Sequence, residues 1–301
     1  MKLNAWLKRI TITLGAGLAM GSATVLAAEP LGVFVSLLPQ KQIAERVGGD
    51  AVKVGVLVAP GQSPATYDPT PQQMVALAQS AVYFPIGVAF EKTWVPKIAQ
   101  AHPKLTIVDT RKGIALQPVD RRAVAFDAAP KADAPKPAAV NLDPHIWTSP
   151  LLVKQQAATM RDALTALRPD ERARFDAGYT RYAAELDALD GELRKLLAAK
   201  AQRRFMVFHP AWGYLADAYG LQQIPIEVEG KEPSPQALAR IIDRAKADGV
   251  RVIFVQKQFS STAAEQVARA IGGEVVAIDP LAEDFLGNTR QVAQALASAL
   301  K

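Results

Sequence analysis

The chain of 301 residues contains no cysteine. That excludes a disulfide framework and any thiolate metal site. It also removes the thiol a bacterial lipoprotein needs at its cleavage site, so the sequence predicts a product without a lipid anchor. Histidine is scarce: His102, His145 and His209 are the only three. No basic stripe carries interleaved aromatics, which argues against nucleic acid as a partner. No Gly-x-Ser-x-Gly, no Gly-rich phosphate loop before Lys-Ser/Thr and no His-Glu-x-x-His is present, so the sequence gives no reason to expect an enzyme.

What is present begins with a leader. Lys2, Lys8 and Arg9 precede an apolar run at 10–25, and small residues follow at 27–28. This is the pattern of a cleavable signal peptide over 1–28, with the mature chain starting at Ala28 or Glu29. No later run reaches the roughly 18 apolar residues of a membrane span. Without the three leader cations the 35 basic residues fall to 32 against 29 acidic ones, a mild balance of +3. The exported remainder, roughly 270 residues, can bury one or two hydrophobic cores without disulfides.

Strand-like runs at 31–38, 52–58, 81–86 and 106–109 alternate with helical patterns at 40–47, 70–80 and 91–101. Thr70 is placed to cap a helix with Pro71 at its first position. A second series follows at 204–208, 211–219, 222–228, 234–248, 252–255, 261–271 and 274–278, closed by a C-terminal helix. Such alternation predicts α/β architecture with mainly parallel sheets. Between the series lies a helix at 149–167 and then a longer one. Phe175, Tyr179, Tyr182, Leu186, Leu189, Leu193 and Leu196 form a seam spaced alternately by four and three residues. A coiled coil would use that seam. The α/β pattern on both sides favours a helix packed along two lobes of one chain. The expected organisation is an N-terminal lobe over 29–168, a linking helix over 169–201 and a C-terminal lobe over 202–301. Residues 125–140, rich in Ala, Pro, Lys and Asp, read as a surface loop.

Three residues could bind a metal. His145 lies in Asp143-Pro144-His145-Ile146-Trp147, where proline stiffens the backbone and lowers the entropy lost on fixing the imidazole. His209 follows the run at 204–208, and Asp279 follows the run at 274–278. Ligands of open parallel sheets bind beyond the carboxyl ends of strands. Two imidazoles and a carboxylate suit Zn²⁺, and Mn²⁺ or Fe²⁺ accept the same donors. Each residue has an alternative. His209 could cap the next helix, and Asp279 could make a turn before Pro280. His102 reads as a helix end. Glu227, Glu229 and Glu232 read as solvated acids, one of which could support a site from behind its ligands.

The mature chain resembles the metal-binding solute receptors of ABC importers for zinc and manganese, the zinc receptors in particular. The resemblance covers nearly all of 31–301. It is carried by Val58-Ala59-Pro60-Gly61, Tyr67-Asp68-Pro69-Thr70-Pro71, Gly87 to Trp94, Asp143 to Trp147, and His209-Pro210-Ala211-Trp212-Gly213-Tyr214. Glu232-Pro233-Ser234-Pro235, Gln258-Phe259-Ser260-Ser261 and Asp279-Pro280-Leu281 continue it. It implies two α/β lobes joined by a rigid helix, with a metal cleft between them. It implies His145, His209 and Asp279 as ligands, Zn²⁺ as cargo, an ABC importer permease as partner, a monomer, and a periplasmic location. Two departures stand out. Ala65 occupies the position of the family's first imidazole, leaving either three protein ligands plus water or a substitute such as Gln62, Tyr67 or Asp68. The 125–140 loop has no histidine, unlike the metal-rich stretch of many zinc receptors. The alternatives are a metal chaperone, an adhesin or an altered-ligand receptor on the same fold, and more remotely a metal-dependent hydrolase.

Overall fold

The computed structural model describes residues 29–119, 142–227 and 231–300. The leader, the 125–140 loop and Glu229 lie outside them. Two four-stranded sheets are present, and every named strand pairing in them is parallel. The first holds β1 (Leu31–Val35), β2 (Val52–Val56), β3 (Val82–Phe84) and β4 (Thr106–Ile107), in the order β2-β1-β3-β4. The second holds β5 (Arg204–Val207), β6 (Gln222–Pro225), β7 (Val252–Val255) and β8 (Glu274–Ala277), in the order β6-β5-β7-β8. The two lobes thus repeat one topology that no sequence repeat announced. In each, the chain leaves the first strand to one side and returns on the other. That opens a crevice at the carboxyl ends of β1 and β3, and of β5 and β7.

The helices are α1 (Leu38–Gly48), α2 (Pro71–Ala78), α3 (Glu91–Ala101), α4 (Pro150–Leu167), α5 (Arg172–Ala198), α6 (Gly213–Ala218), α7 (Pro235–Ala247), α8 (Thr262–Ile271) and α9 (Phe285–Ala299). Local chemistry sets several ends. Thr70 Oγ1 accepts the Gln73 amide at 3.3 Å, and Pro71 opens α2 as expected from its fixed φ. Gly272, in the left-handed region at φ 63°, ends α8.

Helix α5 joins the lobes as one core. An apolar cluster runs from Val33 and Ile43 through Phe175, Tyr182, Leu189 and Leu193 to Phe205, Leu215 and Val292. The buried face of α5 differs from the heptad seam in a telling way. Gly178 and Leu197 are buried in place of Tyr179 and Leu196, and Leu196 is 38 % exposed. Taking one buried position per turn, from Phe175 through Gly178, Tyr182, Leu186, Leu189 and Leu193 to Leu197, with Ala183 beside Tyr182, the stripe follows roughly the 3.6 period of a straight helix and not the 3.5 period of a supercoil. The helix packs on α1 and α4 on one side and on α9 on the other, all helices of the same chain.

Gly178 marks the tightest approach. A Cβ there would sit 2.3 Å from the Val47 carbonyl oxygen and 2.9 Å from that of Arg46, at the end of α1. Backbone cannot yield as a flexible side chain can, so Gly178→Ala is expected to destabilise the fold by about 1–3 kcal/mol. A denaturant midpoint equal to that of the parent would show that α1 and α5 can separate without loss.

Candidate metal centre

His145 ends an irregular segment of the N-terminal lobe, just before a 3-10 turn at Ile146–Thr148 and α4. Its geometry comes from Asp143, whose buried carboxylate accepts twice through Oδ1. The His145 amide donates at 2.9 Å and the ring Nδ1 lies at 2.5 Å. The two-residue separation allows both, since an Asx turn already brings the carboxylate back to the amide two positions on.

His209 follows β5 at the crevice between β5 and β7. It does not cap α6, whose N-cap position is held by Trp212 without a side-chain hydrogen bond. Instead Gln256, fully buried at the end of β7, grips both sides of its peptide. Gln256 Oε1 accepts from the His209 amide at 3.2 Å, and Nε2 donates to its carbonyl at 2.6 Å. The ring stacks on Phe259 at 4.7 Å, and its Nδ1 meets buried Glu227 Oε1 at 2.8 Å. Of the acids around Gly230 that are described, Glu227 supports an imidazole and Glu232 is exposed.

The two rings come from different lobes, and their Nε2 atoms face each other at 3.2 Å. Two nitrogens on a tetrahedral zinc with Zn–N bonds of about 2.0–2.1 Å stand roughly 3.3 Å apart. The proton count sharpens the match. With each Nδ1 facing a carboxylate, the tautomer protonated on Nδ1 is favoured, and that tautomer turns a lone pair outward from Nε2. Two facing lone pairs repel unless a cation lies between them. Burial also lowers the His209 pKa below its ordinary 6.5, against the opposing hydrogen bond from Glu227, and so favours the neutral ring that binds metals.

Cross-lobe bonds hold this approach. Tyr214 OH, from α6, donates to the Asp143 carbonyl at 2.8 Å and accepts the Gln117 amide at 3.0 Å. Trp147 Nε1 donates to the Pro280 carbonyl at 2.8 Å. Leu281 of the C-terminal lobe packs in the same apolar cluster as Ile146 and Trp147 of the other.

Asp279 is placed differently. Its Oδ1 accepts from the Leu281 amide at 2.9 Å and from Gln258 Nε2 at 3.0 Å, so it makes the turn before Pro280. Among the described residues, no group of three His, Cys, Asp or Glu side chains is gathered as a metal-holding cluster. The side chains weighed as substitutes at Ala65 are engaged nearby. Gln62 accepts from the Ala59 amide, Tyr67 donates to Gln73, and Asp68 accepts from Trp94 Nε1. Ala65 itself is exposed. His102 terminates α3, its amide bonded to the Ile98 carbonyl, as a helix-end residue should be. Asp143, Tyr214 and Gln256 were not singled out from the sequence. The Asp-Pro-His spacing could have revealed the first, but nothing local reveals the other two.

Two α/β lobes with parallel sheets on one helix, with an imidazole from each meeting across the interface, define the fold of a two-lobe solute receptor. The chain belongs to the family described as zinc-uptake complex component A, periplasmic, whose model matches residues 33–299. It is 28 % identical over 260 residues to the high-affinity zinc uptake system protein ZnuA of Bacillus subtilis, covering 84 % of this chain and 79 % of that one. It is 27 % identical to the zinc-binding lipoprotein AdcA of Streptococcus pneumoniae, of which it spans only half the length. A crystal structure of ZnuA superimposes with a TM-score of 0.81 at 40 % identity, over 90 % of this chain and 100 % of that one. A 138-173 deletion mutant of ZnuA with zinc bound matches with the same score and identity, over 90 % of this chain and 98 % of that one. The laminin-binding protein Lmb of Streptococcus agalactiae shares the fold, at 22 % identity and a TM-score of 0.78.

Proposed function

We propose that this chain is the metal-capturing receptor of an ABC importer, taking up Zn²⁺ outside the cytoplasmic membrane and presenting it to the permease. The observation that carries the reading is the pair of Nε2 atoms 3.2 Å apart, each ring backed by a carboxylate. His145 and His209 bind the ion, and Asp279 supplies a third donor through the carboxylate oxygen that its turn leaves over. Asp143 and Glu227 stand behind the imidazoles and fix their orientation. The receptor acts as an exported monomer without a lipid anchor. The leader pattern supports export, and the absence of cysteine supports the lack of a lipid anchor. Among the described residues, no helix is long and apolar enough to cross a membrane.

Zinc titration of the purified chain is expected to give one ion per chain at pH 7.5. Protonated imidazole cannot coordinate, so affinity should fall on acidification. The lowered pKa keeps His209 in its binding form below pH 6.5, which places its own loss lower than that of an exposed histidine. Less than stoichiometric zinc at pH 7.5, or equal affinity at pH 5 and 7.5, would sink this reading.

A further inference from the structure

The two imidazoles are held in unlike ways. His209 takes its support from its own lobe, through Glu227, Gln256 and Phe259. His145 depends on Asp143, and Asp143 is gripped from the other lobe. Both bonds from His145 end on Asp143 Oδ1, and Oδ2 faces the start of α6. A Cβ on Gly213 would lie 3.0 Å from that Oδ2 and 3.1 Å from Gln223 Nε2. Gly213 is the first residue of α6 and has no positive φ, so its backbone does not call for glycine, which is a poor helix former. What the position calls for is the missing side chain. The next residue, Tyr214, donates from its buried side chain to the Asp143 carbonyl at 2.8 Å. One dipeptide thus meets Asp143 at its side chain and at its main chain, and α6 packs on the 3-10 turn that follows His145.

We infer that the C-terminal lobe aims the metal ligand of the N-terminal lobe: Gly213 and Tyr214 are positioning residues that fix Asp143, and through it the His145 ring, when the lobes are together. This inference rests on the metal-receptor reading above and specifies how its site is assembled. Space and hydrogen bonding act together. Gly213 lets α6 approach the carboxylate without displacing it, and Tyr214 pins the carbonyl of the same residue. A methyl group at 213 would stand nearer to Oδ2 than even a close Cα–H···O contact of about 3.3–3.6 Å. Asp143, Gly213 and Gln223 border a cavity of about 370 Å³, so the carboxylate can give way there, as the backbone facing Gly178 cannot. It gives way by leaving the His145 ring. His209, backed by its own lobe, keeps its orientation.

The test compares the parent with Gly213→Ala and Tyr214→Phe. Each is titrated with zinc at pH 7.5, and the zinc-saturated chain, labelled with nitrogen-15 at histidine, is observed by nuclear magnetic resonance. A ring bound through Nε2 keeps its proton on Nδ1, and the resonance of that N–H reports its bond to the carboxylate behind it. Gly213→Ala is expected to weaken zinc binding by at least about tenfold and to move the His145 Nδ1–H resonance, while that of His209 stays in place. Tyr214→Phe adds no atom and is expected to change both in the same direction. If Gly213→Ala fails to fold by circular dichroism, Tyr214→Phe decides alone. Unchanged affinity or an unmoved His145 resonance in either folded variant would overturn the inference and leave the receptor reading intact. A His209 shift as large as that of His145 would also overturn it, because the lobes would then have loosened as a whole. Failure of the parent to bind zinc would defeat the receptor reading itself, and this inference with it.

Discussion

The variant His145→Ala/His209→Ala is expected to lose zinc almost completely while retaining its fold. Structural zinc sites with four ligands contribute roughly 10–16 kcal/mol at neutral pH. Two imidazoles represent the strong half of the donors here, so affinity should drop by at least ~10³-fold, about 4 kcal/mol. The fold should survive, because neither ring is part of the apolar core. Their side chains are 15 % and 21 % exposed, and the lobes remain joined by α5 and by the Trp147–Pro280 and Tyr214–Asp143 bonds. Removing the rings also relieves the opposed lone pairs. Elemental analysis after zinc loading, paired with circular dichroism, reads both halves of the expectation. Stoichiometric zinc in a folded double variant would mean that the metal binds elsewhere.

Asp143→Ala should be the most damaging change that removes no metal ligand. The carboxylate fixes the His145 ring through Nδ1 and its backbone through the amide, and both bonds go to one oxygen. Without it the ring can rotate or move its proton to Nε2, where it blocks coordination. Loss of such a partner behind a metal-binding histidine typically weakens binding 10–100-fold. Asp143→Asn keeps an acceptor for the amide but offers a weaker partner to the ring, so it should fall between Ala and the parent. Equal zinc affinity in all three proteins would show that His145 is held by its stiff loop alone.

Much of the fold was legible because its signals are local. The alternation of strand and helix patterns, the Thr70–Pro71 helix start and the position of His209 beyond a strand all depend on neighbours within a few residues. Even the error at Leu196 is instructive. A spacing of four and three residues cannot distinguish the 3.5 and 3.6 periods over so short a seam, and only the surfaces packed against α5 determine that Leu197 faces inward. The candidate metal centre was legible in part. His145 and His209 stood out because imidazoles are rare here and sit beside prolines at loop and strand ends.

The sequence by itself determined the limits of the chemistry. Without cysteine and with three histidines, no thiolate and few imidazoles can hold a metal, and Ala65 cannot coordinate whatever its surroundings. Tertiary structure decided which groups meet. Glu227 and Gln256 reach His209 from the ends of β6 and β7, and Tyr214 crosses from one lobe to the loop of the other. These contacts span from 18 to 71 residues in the chain, so they follow from strand order and lobe packing, which no short window of sequence encodes. The 3.2 Å between two imidazoles from different lobes is the clearest case. Each ring is positioned by its own lobe, and their separation exists only once α5 and the bonds across the interface have set the lobes face to face.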